Sequence, residues 1–261
     1  PVDKLIKHRR DRMDARIWQL SCQQDPLPTT GAVFPYDSIA SCFNEKMFLE
    51  HVPHGTRVVV GIDPAVTGFT AGVVFAVDPK SELRYLVDVW NEENLTGDGG
   101  DHHAGLVQFI VELCKKYKAQ TLCLESNSTF KLLSSSLDLR RQLNNLGVDF
   151  FTYTSGGTGS ALGDSPEDLA VAQLSGLFSN GMIVIPYAGW SKGRVKDFVD
   201  QFVRWRPGDK KLIRDIVKAT QMAEHAAKRV IAKENFIRPP ERKNMPAYLR
   251  RRRSLGGKAV G

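Results

Sequence analysis

The stretch Arg57 to Gly72, RVVVGIDPAVTGFTAG, constrains this chain more than any other. Val58-Val59-Val60-Gly61-Ile62 is a short, β-branched, almost wholly apolar run, the pattern of a buried strand. It ends on Asp63, and Pro64, which has no amide hydrogen, cannot extend the ladder. A second apolar run, Thr70 to Val77, follows a turn carrying Thr67 and Gly68, so the two pair as a hairpin with Asp63 at its lip. A carboxylate in such a place is costly without a partner. A cation is one partner; the residue's own turn backbone is the other.

Elsewhere the pattern alternates strands and helices. Lys4 to Leu20 reads as an amphipathic helix, broken by Asp25-Pro26-Leu27-Pro28 and Gly31. From there to Gly55 the chain reads more like a connection than a core, with one short helix. His51 and His54 lie three apart with no third ligand nearby, which favours surface residues. Glu82 to Trp90 is a third strand. Asp101 caps a helix with Leu106, Phe109, Ile110, Leu113 and Tyr117 on its apolar face. Ala119 to Glu125 is a fourth strand, again closed by a carboxylate. Ser126-Asn127-Ser128 cap a helix running through Leu132, Leu133, Leu137 and Leu143 to Gly147, and Val148 to Thr154 is a fifth strand. The loop Ser155 to Asp164 has no Gly-Lys-Ser/Thr ending, which argues against a nucleotide P-loop. A helix from Pro166 to Asn180-Gly181, a strand from Met182 to Pro186 and helices at Lys192–Trp205 and Asp209–Lys233 complete the order.

The net charge of +7 is carried by the last residues. Beyond Ile237 there are eight basic residues, Arg250, Arg251, Arg252 and Arg253 among them, against one acid, Glu241; the remainder is balanced. This tail, rich in Pro and Gly, has too little apolar content to pack and reads as mobile. Its arginine run either holds phosphates or stands as a solvated terminus. The four cysteines are widely spaced, which argues against a zinc ribbon and a disulfide framework and favours reduced, mostly buried thiols. No apolar run of membrane-spanning length and no signal-peptide layout is present, so the expected location is soluble and intracellular. The first residue is Pro1, not Met, which reads as a piece of a longer protein.

The expected architecture is therefore α/β, a mixed sheet of three antiparallel strands followed by parallel ones, flanked by helices. If the first strand neighbours the fourth, Asp63 and Glu125 emerge at one edge. Two strand-terminal acids in one sheet are harder to explain as independent turn caps than either alone. A third acid should come from the last helix. Asp215, set among Ile213, Ile216 and Val217, is the first choice, and Asp209 replaces it if the register is one turn off.

At these residues the chain resembles the ribonuclease H-like nucleases, and more narrowly the nuclease domain of tailed-phage terminase large subunits. The likeness runs from about Trp18 to Val230, through WQLSCQQDPLPTTGAVFPYDSI, VVVGIDPAVTG, LCLESN, LFSNGMIVIP and FVRWRPGDKKLIRDIVKATQMAEHA. It implies a linker-like segment over residues 1–54 leading from a missing ATPase domain, a nuclease domain over 55–236, and the basic tail over 237–261. It implies cleavage of concatemeric phage DNA in the host cell cytoplasm by two Mg²⁺ or Mn²⁺ ions about 4 Å apart. Asp63, Glu125 and Asp215 would be the metal-binding triad, with Asp168 or Asp164 as outer-shell groups and Arg250 to Arg253 on DNA. Double-stranded DNA, the portal ring and the terminase small subunit are the implied partners. Two departures stand out: Lys218, where many relatives carry a second acid, and Arg214, where an acid or His is common. A RuvC-like junction resolvase and a non-catalytic docking scaffold are the alternatives. Actin-like ATPases share the Gly-Ile-Asp strand, but their phosphate loop is missing here.

Overall fold

The computed structural model describes residues 32–64, 69–93, 102–126, 135–154, 166–209 and 214–237. Several expectations lie outside these: the Lys4–Leu20 helix, the Thr67-Gly68 turn, the start of the helix after Ser126, the loop with Asp164, and the tail with Arg250 to Arg253.

In chain order the elements are α1 (Tyr36–Ala40), β1 (Phe43–Asn44), β2 (Arg57–Asp63), β3 (Phe69–Val77), β4 (Arg84–Glu93), α2 (His102–Tyr117) and β5 (Thr121–Glu125). They continue with α3 (Leu137–Asn145), β6 (Asp149–Tyr153), α4 (Pro166–Ala172), α5 (Leu174–Ser179), β7 (Ile183–Pro186), α6 (Ser191–Arg204) and α7 (Asp215–Ile237). The seven strands form one sheet in the order β1-β7-β4-β3-β2-β5-β6. The chain from β2 to β4 makes the expected antiparallel meander, and every other neighbouring pair is parallel.

The sheet is covered on both faces, which is why its central strands read as continuous apolar runs rather than alternating ones. On one face Val58, Val60 and Ile62 of β2 and Leu122 and Leu124 of β5 pack with Ile110 of α2 and Leu139 and Leu143 of α3. On the other, Val59, Cys123, Val73 and Phe75 pack with Ala219, Met222, Ala223 and Ala226 of α7 and with α5 and α6. α7 is seated on β2 by Gly61. A Cβ at this position would overlap the backbone of Ala219 and Ala223, so only glycine lets the helix lie flat on the strand.

The residues before Gly55 depart from the expectation of a mere connection. Phe34 is 1 % exposed and meets the rings of Phe202, Trp205 and Phe178 edge-on at 4.9, 5.6 and 5.8 Å. Each such pair contributes roughly 0.5–1.5 kcal/mol beyond its buried area. Ile39, Cys42 and Leu49 are also buried, and β1 extends the sheet alongside β7. Isolated aromatic residues among turn formers carry no periodic signal, so their burial was not readable locally. His51 and His54 are exposed, as expected. Cys42, Cys114 and Cys123 are free and buried. The helix expected from Pro166 is interrupted at Gln173 into α4 and α5, and the last helix starts at Asp215 rather than Asp209. No helix among the described residues is long and apolar enough to cross a membrane.

Candidate active site

The period of two along a strand decides which way the acids face. In β2, Val59 and Gly61 point to the α7 face, so Asp63 does too. In β5 the same parity runs from Cys123 to Glu125. Ile62 is in register with Leu124, which sets Asp63 and Glu125 side by side at the carboxyl ends of two parallel strands. Both are buried, at 7 % and 2 % exposure. Burial pushes the Asp63 carboxyl well above the usual carboxylate range, and a hydrogen bond with Glu125 and the charge of Glu125 push it the same way. Burial and the neighbouring carboxyl thus both disfavour the ionised form of Asp63.

α7 runs antiparallel to these strands. Its start lies over the acids, while Arg229 and Lys233 near its other end pair with Asp149 at the beginning of β6. Asp215, the first residue of α7, is raised by burial and by the charge of Glu125, against the opposing pull of Lys218 and Arg214. Asp215 in turn raises Asp63. Asp63, Glu125 and Asp215 thus share one electrostatic neighbourhood. The helix start is fixed by α6: the Ile216 amide, one of the first-turn donors that no helical carbonyl can accept, donates to Gln201 Oε1 at 2.9 Å. That end also carries the positive pole of the helix dipole, which favours carboxylates nearby.

Lys218 lies one turn after Asp215 and so shares its face. Its Nζ is 3.8 Å from Glu125 Oε2, and its charge lowers both Asp63 and Asp215. The sequence marked Lys218 only as a departure; the structure makes it a cation of the cluster, alongside Arg214, whose charge also lowers Asp215. Among the described residues no three His, Cys, Asp or Glu side chains form a ready-made metal-ligating group.

The remaining expectations fall differently. Asp168, on α4, is 4 % exposed; it accepts from the Gly208 amide at 3.1 Å and lies 3.6 Å from Arg214 Nη1. It fastens the turn and the arginine that lead into α7. Asp209 lies in that turn, its amide donating to the Arg206 carbonyl at 3.4 Å, well before the start of α7. An ion pair that no sequence signal announced ties α7 to β4: Arg84 donates from Nε and Nη2 to the two oxygens of Glu224, each at 2.9 Å, with both side chains buried. A buried bidentate pair of this kind fixes geometry more than it adds stability.

No family model matches the chain, and no curated protein matches it. Solved structures do. The large terminase of a thermophilic bacteriophage matches with a TM-score of 0.54 and 8 % identity, over 84 % of this chain and 50 % of that one. The chain has a ribonuclease H-like fold. At such identity the likeness is one of fold, and the chain spans about half the length of that phage protein. The P22 large terminase nuclease domain matches at a TM-score of 0.48 and 15 % identity, over 77 % of this chain and 93 % of that one. Thermus thermophilus RuvC in complex with a Holliday junction substrate matches at 0.38 and 15 %, over 67 % and 96 %.

Proposed function

We propose that this ribonuclease H-like chain is a divalent-metal-dependent endonuclease that hydrolyses duplex DNA, in the setting of phage genome packaging. One observation carries the reading: three carboxylates from β2, β5 and α7 act on one another at one edge of the sheet, Asp63 and Glu125 buried, with burial and the charge of Glu125 raising both Asp63 and Asp215. A core has no use for such crowding of like charge, and a divalent cation relieves it. The donor set is all carboxylate oxygen, which suits Mg²⁺ or Mn²⁺ rather than zinc. Asp63 and Glu125 would hold the metal, with Asp215 completing the set; when bound, it supplies an activated water and offsets phosphate charge. Asp63, at the centre of the crowding, would be the principal holder of the cation. Water adds to phosphorus as the bond to the 3′ oxygen breaks. The water's proton passes to solvent or to a cluster carboxylate, and the leaving oxygen is protonated, giving a 5′ phosphate and a 3′ hydroxyl. No base-reading module was recognised in the sequence, so selectivity for sequence should be weak.

The test is nicking and linearisation of supercoiled plasmid with Mn²⁺, with excess EDTA, and with Asp63→Asn. Cleavage should need the metal and fall by about 10²-fold or more in the variant. Strong cleavage in EDTA, or near-normal cleavage by Asp63→Asn, would overturn the reading. Preference for a synthetic four-way junction over plain duplex would move it to a resolvase. Binding of an isolated portal ring or terminase small subunit by the full chain would extend it to those partners.

A further inference from the structure

We propose that Lys218 is a resident cation of the acid cluster, its ammonium standing where one of two divalent ions would otherwise be held, so that the site takes a single ion. The catalytic meaning of this rests on the nuclease reading; the binding stoichiometry does not.

Three observations point this way. Lys218 Nζ approaches the buried Glu125 carboxylate to 3.8 Å, and the lysine side chain is itself only 20 % exposed. Its charge also acts on Asp63 and Asp215, so one ammonium opposes the repulsion among all three acids. Its position is set by the helix, since the Lys218 amide donates to the Arg214 carbonyl at 3.0 Å and the turn from Asp215 directs both side chains to the same edge. In sequence terms the helix opens Asp-x-x-Lys, so the face that presents the acid Asp215 presents a cation one turn later.

Charge balance leads to the same conclusion. With Arg214 set against Asp168 at 3.6 Å, the three carboxylates in their ionised form and the Lys218 ammonium leave two negative charges, which one divalent cation cancels. A second divalent ion about 4 Å from the first would leave a mostly buried site with excess positive charge beside a fixed ammonium, which desolvation disfavours. On DNA, the ammonium, a compact charge with three donors, would bind a phosphate oxygen and offset the charge that develops there.

Mn²⁺ titration of the full chain by calorimetry tests the proposal, with circular dichroism to confirm that each variant is folded. The wild type should bind one Mn²⁺, lost in Asp63→Asn. Lys218→Asp should bind two. Should Lys218→Asp not fold, Lys218→Met, similar in length and uncharged, carries the test. Its plasmid cleavage should fall roughly tenfold or more, and its dependence of rate on Mn²⁺ should turn from hyperbolic to sigmoidal as a second ion becomes necessary. Two Mn²⁺ bound by the wild type, or a Lys218→Met variant unchanged in both stoichiometry and rate, would overturn the proposal. One Mn²⁺ bound without any DNA cut would sustain it and remove the nuclease reading. Two bound alongside cleavage would do the reverse.

Discussion

Single residues on α7 show how burial and charge set protonation in this protein. Lys218 opposes the mutual repulsion of the acids, while two turns further on His225 is kept neutral. The His225 ring stacks on Tyr153 at 4.0 Å, and burial, then the charge of Lys228, lowers its pKa from 6.5 to about 4. The sign follows from which state takes up the proton first. Between pH 6.5 and about 4 the unfolded chain protonates this histidine while the native one does not. The stability due to neutral His225 is therefore full above that window, is lost as pH falls through it, and changes no further below it. Thermal melts of the wild type and of His225→Phe, which keeps a stacking ring, should diverge across the window, with the variant losing less stability. Parallel curves would show that the histidine is not held neutral.

At the scale of elements, the site depends on how closely α7 lies on β2. Gly61 sets that distance, since any side chain there meets the helix backbone. Gly61→Ala should destabilise the fold by on the order of 1–3 kcal/mol in urea denaturation through overpacking, and should also displace Asp215 and Lys218 from the strand ends. Plasmid cleavage should drop with it. Gly193 of α6 has nothing within 4 Å of a Cβ, so Gly193→Ala is the control and should stabilise by about 1 kcal/mol through helix propensity. Equal effects at the two glycines would mean that the packing of α7 does not decide the outcome. The bidentate Arg84 and Glu224 pair anchors the same helix to β4 further along, so α7 is fixed against two strands as well as against α6 through Gln201.

For the whole molecule the question that the nuclease reading raises is where DNA would be gripped. The described fold pairs several of its charges, as with Lys116 and Glu50 at 2.8 Å or Arg229 and Asp149 at 2.9 Å, whereas the net positive charge belongs to residues 238–261. Deleting those residues should leave the melting temperature nearly unchanged, because the composition gives them no core to lose. If Arg250 to Arg253 hold phosphates, DNA binding should weaken and the slope of log affinity against log salt should shrink by about 0.9 per lost contact. Cleavage at high DNA concentration should persist, since the acids all precede the tail. An unchanged affinity and slope would remove the tail from DNA binding and leave it as a docking segment for a protein partner.

The sequence by itself determined six of the seven strands, most of the described helices and the two acids that close β2 and β5, because apolar period and strand-ending carboxylates are local patterns, whereas the two-residue β1 carries none. From them Asp63 and Glu125 could be placed on one sheet by pattern alone. It also determined where the net charge lies. Only the tertiary structure decided that Phe34, Ile39 and Leu49 enter the core, that β7 pairs with β4 and β1, and that the last helix starts at Asp215, with Asp168 and Arg214 holding the turn before it. Nor could Lys218 be read as the partner of Glu125, which lies far from it along the chain. That pairing is made by the register of β2 with β5 and by the glycine that lets α7 lie across them. A charge on a helix is ambiguous in sequence because what it faces is set by elements far along the chain, and packing alone brings them together.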